Sequence, residues 1–220
     1  MSRDSSLYLK QMQVGPMENF IYLIGDTRTR ECVMVDPAWD VAQVLRAAEQ
    51  DDMKVIAGLA THYHYDHTNG IADLIAKANC KVYVNKEDAP YLKDLQKEVT
   101  KVEAGHKLRI GEIEITFLHT PGHTPGSQCF LVNNPACRQA GRLVSGDTLF
   151  INACGRCDLP GGDAEEMYHS LHTLAKLGDD IILLPGHNYA DEPDSTIGKE
   201  KKFNPYYQVH SLQEFLSERM

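Results

Sequence analysis

The chain has 220 residues, 42% of them hydrophobic and 24% charged, with a formal net charge of −9. That length suits one domain with a sizeable core, and the acidic balance argues against nucleic acid as a partner, because phosphate binding wants clustered Lys and Arg. The first residues carry no apolar stretch of signal-peptide type and no segment approaches membrane-spanning length, so a cytoplasmic protein without membrane contact is expected. The six cysteines (Cys32, Cys80, Cys129, Cys137, Cys154 and Cys157) stand singly apart from the last two, which does not imply a disulfide framework in a chain without a secretion signal.

Alternating Leu7 and Leu9, then Phe20, Tyr22 and Ile24, predict strands over 7–14 and 19–24 joined through Gly15-Pro16. Cys32 to Val35 forms a short apolar strand ending at Asp36-Pro37. Asp40 is placed to cap a helix over 41–50, whose Val41, Val44, Leu45 and Ala48 share a face. Lys54 to Ala60 is a buried strand. A helix is expected near 69–78, a strand at Val82 and Val84, and a polar helix over 86–97. Leu108 to Ile110 and Ile113 to Phe117 read as a hairpin around Gly111-Glu112. Cys129 to Val132 is a strand, 133–141 a loop, and 142–145 a strand ending at Gly146-Asp147. Met167, Leu171 and Leu174 predict a helix over 163–177 stopped by Gly178. A strand at 181–184 and a short helical pattern with Leu212, Phe215 and Leu216 complete the chain. No linker or repeat interrupts it. The mixture suggests an α/β or α+β sandwich with helices outside the sheets.

Thr61-His62-Tyr63-His64-Tyr65-Asp66-His67 places three histidines and an aspartate within six positions. Imidazole suits zinc and iron, and few structural needs other than metal binding explain such a run. Strand 54–60 delivers it. Three more apolar strands end in a potential ligand: His123 in Pro121-Gly122-His123, Asp147 in Gly146-Asp147, and His187 in Pro185-Gly186-His187. Ligands collect outside the carboxyl ends of strands, where loops converge without disturbing the core. The glycine before each suits a tight turn or a close backbone approach. Five histidines and two aspartates make seven donors. Two ions with three protein ligands each and one shared carboxylate would use all seven. A structural zinc needs four, usually with Cys, so the count points to a two-metal catalytic site. His106, His119 and His210 are expected to be exposed or hydrogen-bonded, and His169 and His172 to lie on a solvated helix face. Cys154 and Cys157 have thioredoxin-like spacing without the βαβ context of that chemistry.

With these positions in order, the sequence resembles the metallo-β-lactamase superfamily over most of its length. The matching motifs are His-x-His-x-Asp-His at 62–67, Pro121-Gly122-His123-Thr124-Pro125-Gly126, Ser145-Gly146-Asp147-Thr148-Leu149 and Leu184-Pro185-Gly186-His187. The resemblance implies an αββα sandwich, a single domain over 1–220, with metals at one edge. It implies one site of His62, His64 and His123, a second of Asp66, His67 and His187, and a bridging Asp147. Asn19 to Ile24, Asp163 to Tyr168 and Gly186-His187-Asn188-Tyr189 resemble glyoxalase II-type thioesterases, but the long C-terminal helical region of the full-length enzymes has no counterpart here. Cys154-Gly155-Arg156 with Asp158, and Asn204-Pro205, resemble persulfide dioxygenases, which hold one Fe(II) on residues matching His62, His123 and Asp147.

Two readings follow. The first is hydrolysis of a hydroxyacyl-glutathione-like thioester at two divalent ions, zinc or iron, with Asp66 and Asp147 as catalytic residues. Arg156 and Tyr189 are candidates to contact a small anionic thiol-derived substrate; a loop salt bridge for Arg156 and packing for Tyr189 are the alternatives. The second is oxidation of glutathione persulfide at one iron. A regulatory domain with a vestigial site is a third reading, disfavoured by the full ligand set. The acyl group and the oligomeric state, a homodimer included, stay open.

Overall fold

A computed structural model describes residues 6–135 and 140–219. Cys137 and the centre of the expected 133–141 loop lie outside the described residues.

The first sheet contains β1 (Leu7–Val14), β2 (Asn19–Asp26), β3 (Glu31–Val35), β4 (Lys54–Leu59), β5 (Lys81–Asn85) and β6 (Thr100–Val102), side by side in that order. β1, β2 and β3 pair antiparallel and β3 to β6 parallel, so the sheet is mixed. Period-two alternation splits its residues between two cores. On β2 and β3, Phe20, Tyr22, Ile24, Val33 and Val35 face inward. Ile21, Leu23, Cys32 and Met34 face out, against helices. Those helices are α1 (Val41–Gln50), the single turn α2 (Tyr65–Thr68) and α3 (Ile71–Ala78). Asp40 caps α1 as its spacing predicts, its side chain accepting from Gln43 N at 2.8 Å.

The second sheet is built from β7 (Lys107–Ile110), β8 (Ile113–His119), β9 (Gln128–Asn133) and β10 (Arg142–Gly146). A two-stranded hairpin of β11 (Leu149–Phe150) and β12 (Ala153–Cys154) and the helix α4 (Ala164–Leu174) intervene before β13 (Ile182–Pro185) and β14 (Ser195–Thr196). The sheet order is β14-β13-β10-β9-β8-β7. Its inward residues, Ile113, Ile115, Phe117, Phe130, Val132, Val144 and Leu184, meet those of the first sheet in one buried layer. Cys129, Leu143 and Leu183 face out, towards Met167, Leu171 and Leu174 of α4. The chain ends in α5 (Ile197–Phe203), α6 (Pro205–Gln208) and α7 (Leu212–Arg219), with Phe215 buried beneath Tyr168 and Tyr206. The αββα sandwich is therefore present, with one core between the sheets and one under each helical layer.

Two local expectations change. The helix over 86–97 is a 3₁₀ segment, Ala89–Leu95, broken at Lys93 by a φ of +46°. Its sequence offers only Ala89 and Leu92 for burial, too little to hold a continuous helix. The helix expected near 69–78 is present as α3, and the single turn α2, which the sequence did not suggest, precedes it. Helix α4 stops at Leu174 and closes with a tight turn through Leu177, so Gly178 is not its C′ residue. The short strands β6, β11, β12 and β14 carry no readable period; their partners define them.

Candidate metal centre

All seven predicted donors converge where β4, β8, β10 and β13 end. Two of the preceding glycines have left-handed backbones, Gly122 with φ +136° and Gly146 with φ +49°. The third, Gly186, permits close approach instead: a Cβ there would lie 2.5 Å from Asp147 Oδ1. Asp66 and His67 reach the site from α2, which turns the chain immediately after His64.

Three donor triads fall within 4.8 Å: His62, His64 and His123; His62, His67 and Asp147; and Asp66, His67 and His187. His67 Nε2 lies 3.1 Å from His187 Nε2, 3.3 Å from Asp66 Oδ2 and 3.4 Å from Asp147 Oδ1. The other Asp147 oxygen lies 3.6 Å from His123 Nε2 and 3.5 Å from His187 Nε2. Asp147 thus reaches toward both groups.

The ring orientations follow from what holds the opposite nitrogen. His123 Nδ1–H donates to the Arg156 carbonyl at 2.8 Å, and His187 Nδ1–H to the Met17 carbonyl at 2.8 Å. His67 Nδ1–H donates to Asp36 Oδ2 at 2.9 Å. Thr61 gives its hydroxyl proton to Asp36 at 2.8 Å, so its oxygen accepts from His62 Nδ1–H at 3.0 Å. Each arrangement turns Nε2 to the centre with its lone pair available, the tautomer that metal ligation needs. His62 Nε2, His123 Nε2 and Asp147 Oδ1 are buried there without a hydrogen-bond partner. Orphaned acceptors of this kind are costly unless a cation meets them, so the donor set fits divalent metal ions.

Electrostatics point the same way. Burial and the neighbouring imidazoles hold His62 well below the ordinary imidazole range. At His67 burial pulls down, but Asp147 and Asp36 outweigh it and push the ring well above that range. Burial raises Asp147, yet the charges of His67 and His187 hold it down at about 2. The carboxylates thus draw positive charge to the place where a cation would sit.

A cleft of about 390 Å³ opens over the centre. Met17, Phe150, Ile151, Leu159 and Tyr189 form its apolar walls, and Arg156 is the only arginine or lysine among the described residues lining it. Arg156 is exposed and forms a two-pronged pair with Asp158 at 2.7 and 2.9 Å, so the loop salt bridge is present at the cleft rim. Tyr189 stacks on His187 with ring centroids 4.6 Å apart and still presents 60% of its surface.

Several residues around the donors escaped the sequence reading. Asp36 orients His67 and also accepts from Thr61 N at 2.7 Å. Asn19 donates to Asp66 Oδ2 at 3.0 Å and is itself held by Trp39 Nε1 at 2.8 Å. Asp88 ties two ligand loops together. Asp36 had a usable signal: it ends β3 as the ligands end their strands. Asn19 and Asp88 had none, since only tertiary packing brings them to the site. Of the bystanders, His119 donates to the Pro125 carbonyl, and His169 and His172 are exposed.

A family model described as the metallo-beta-lactamase superfamily matches residues 14–187. The chain is 34% identical over 233 residues to a Schizosaccharomyces pombe protein named "Probable hydroxyacylglutathione hydrolase glo2", covering 89% of this chain and 84% of that one. It is 30% identical over 213 residues to the Homo sapiens mitochondrial persulfide dioxygenase ETHE1, covering 96% and 79%. A crystal structure of a metallo-beta-lactamase from Staphylococcus aureus superposes with a TM-score of 0.88 at 29% identity, covering 98% of this chain and 68% of that one.

Proposed function

The chain belongs to the metallo-β-lactamase superfamily, and from that premise we propose that it is a metal-dependent thioester hydrolase of the glyoxalase II-like type. The observation that carries the proposal is the pair of donor triads, His62–His64–His123 and Asp66–His67–His187, meeting at Asp147. The second triad, with its own hydrogen-bonded support, offers a place for a second cation, and because persulfide dioxygenases keep the same residues around one iron, the metal count is what separates the two readings.

His62, His64 and His123 would hold one divalent ion, Asp66, His67 and His187 another, with Asp147 between them. Ions held there would supply Lewis acidity, polarising a thioester carbonyl and lowering the pKa of water. The chain's own residues do the rest. Asp66, fixed by Asn19, orients the attacking water. The apolar walls exclude bulk water and receive the acyl group. Two divalent ions against two carboxylates leave a net positive centre, which draws an anionic thiol-derived substrate. Arg156 meets that anion at the rim by exchanging its Asp158 partner. Burial and the charge of Asp147 push the Tyr189 hydroxyl up to about 12, so it stays protonated and donates to the substrate.

Metal analysis of protein purified without chelator, followed by a thioester panel under nitrogen and a persulfide oxygen-uptake assay, tests the proposal. Two ions per chain with thioester cleavage is the expected result. One iron per chain with persulfide-dependent oxygen uptake and no cleavage would replace it with the dioxygenase reading, to which the human relative's name points.

A further inference from the structure

Asp88 follows β5 and is fully buried, yet it belongs to neither donor triad. Its carboxylate accepts three hydrogen bonds from two separate loops. Oδ2 takes Tyr63 N at 2.8 Å and Thr124 Oγ1 at 2.7 Å, and Oδ1 takes Gly126 N at 2.6 Å. Tyr63 lies between His62 and His64, and Thr124 directly follows His123. Gly126 lacks a side chain where one would collide: an ideal Cβ there would stand 2.6 Å from Asp88 Oδ1. Thr124 is fixed in turn by Ser127, whose Oγ lies 3.0 Å from Thr124 N and 2.8 Å from its hydroxyl.

All three donors are neutral. Burying a carboxylate against neutral donors alone costs stability, and burial raises the Asp88 carboxyl to about 6. A group needed only to fill space would be apolar. What the charge gives is a short, three-pronged junction between the loops that carry His62, His64 and His123. The other triad hangs from different supports: His67 from Asp36, Asp66 from Asn19, and His187 from the Met17 carbonyl.

We propose that Asp88 is the positioning residue for the His62–His64–His123 half of the metal centre, acting on that half and not on the Asp66–His67–His187 half. The inference rests on the two-cation reading of the site. It gives the His62–His64–His123 half a buried carboxylate of its own, whereas Asp36 reaches both halves, His67 directly and His62 through Thr61. Asp88→Asn is the informative change. In either flip, its amide turns an N–H towards a donor, at Gly126 N or at Tyr63 N and Thr124, so at least one tie is lost.

The test is a calorimetric titration of metal-stripped full-length protein with Zn²⁺, in wild type, D88N and D36N. Wild type is expected to take two equivalents. D88N should weaken one of them about 10- to 100-fold, the usual effect of losing a partner that orients a ligand, and leave the other within about three-fold. In a His123→Ala background D88N should change nothing further, whereas in a His187→Ala background it should still weaken the remaining ion. D36N, at a carboxylate that reaches His67 directly and His62 through Thr61, should weaken both ions, so the selective loss is the mark of D88N alone. Two wild-type equivalents that D88N leaves both unchanged, or weakens equally, would overturn the role of Asp88. A wild type that takes a single equivalent would overturn the two-cation reading instead. If D88N does not fold, Thr124→Val removes one tie at constant volume and should weaken the same ion by a few-fold; an equal effect on both ions would again overturn the proposal.

Discussion

Gly146→Ala puts the strand-end geometry to a quantitative test. Gly146 has φ +49°, and an alanine there pays about 1 to 2 kcal/mol for the left-handed backbone alone. Its Cβ would also stand 2.6 Å from both Cβ and Oγ1 of Thr61. Thr61 cannot simply turn aside, because its N and Oγ1 both donate to Asp36, at 2.7 and 2.8 Å, in a buried setting. Displacing it leaves a buried donor without its acceptor, which costs about 1 to 3 kcal/mol more. The sum is about 2 to 5 kcal/mol. Gly105→Ala supplies the control: its φ is +80°, but nothing lies within 4 Å of the added methyl, so only the backbone cost of about 1 to 2 kcal/mol applies. Urea unfolding of both variants in metal-stripped form measures the difference directly. If Gly146→Ala proves no more destabilising than Gly105→Ala, the Thr61–Asp36 contact is not the rigid neighbour argued for, and the tight packing around Asp147 fails with it.

Further expectations bear on the supports of the site and on the core. Asp36→Asn keeps the shape of the group but replaces one acceptor oxygen with an amide, so it spoils acceptance either from Thr61 N or from Thr61 Oγ1 and His67 Nδ1. Competition against a chromophoric chelator should show metal affinity falling about 10- to 100-fold, and unchanged affinity would remove Asp36 from the machinery. Glu200 is fully buried and accepts from Asn152 N, Ser195 Oγ and Asn204 Nδ2, the last of which also holds the Phe150 and Ala153 carbonyls of the cleft hairpin. Glu200→Ala should cost about 3 kcal/mol or more in urea unfolding by stranding those donors, and a loss below about 1 kcal/mol would contradict that account. Burial pushes the Cys129 thiol up to about 11. A raised thiol pKa means less thiolate at any pH below it, so at pH 8 about one molecule in a thousand is ionised there. Mass-spectrometric mapping of native alkylation should find half-buried Cys80 modified well before Cys129, and the reverse order would refute the burial argument.

Much of the architecture was legible because period-two alternation and strand-end punctuation are local properties. β2 and β3 send alternate residues to the two cores, and their continuous apolar runs mark them as strands buried on both faces. The seven donors could be picked out because imidazoles and carboxylates after four apolar strands have few other uses. The failures have one physical source. The 3₁₀ segment 89–95, the hairpin β11–β12 and the strand β14 have no periodic face of their own, so their conformations come from partners distant in the chain.

The sequence by itself determined which residues can bind metal and on which strand ends they stand, since side-chain chemistry and short-range pattern travel with the chain. The tertiary structure decided how those residues are aimed. The tautomers of His62, His67, His123 and His187 depend on Thr61, Asp36 and the carbonyls of Arg156 and Met17. The grouping of the donors into halves depends on Asp147, Asp36 and Asp88 meeting loops 25 or more residues away. A hydrogen bond across such a separation leaves no trace in local sequence, because it exists only once strands distant in the chain have been brought side by side.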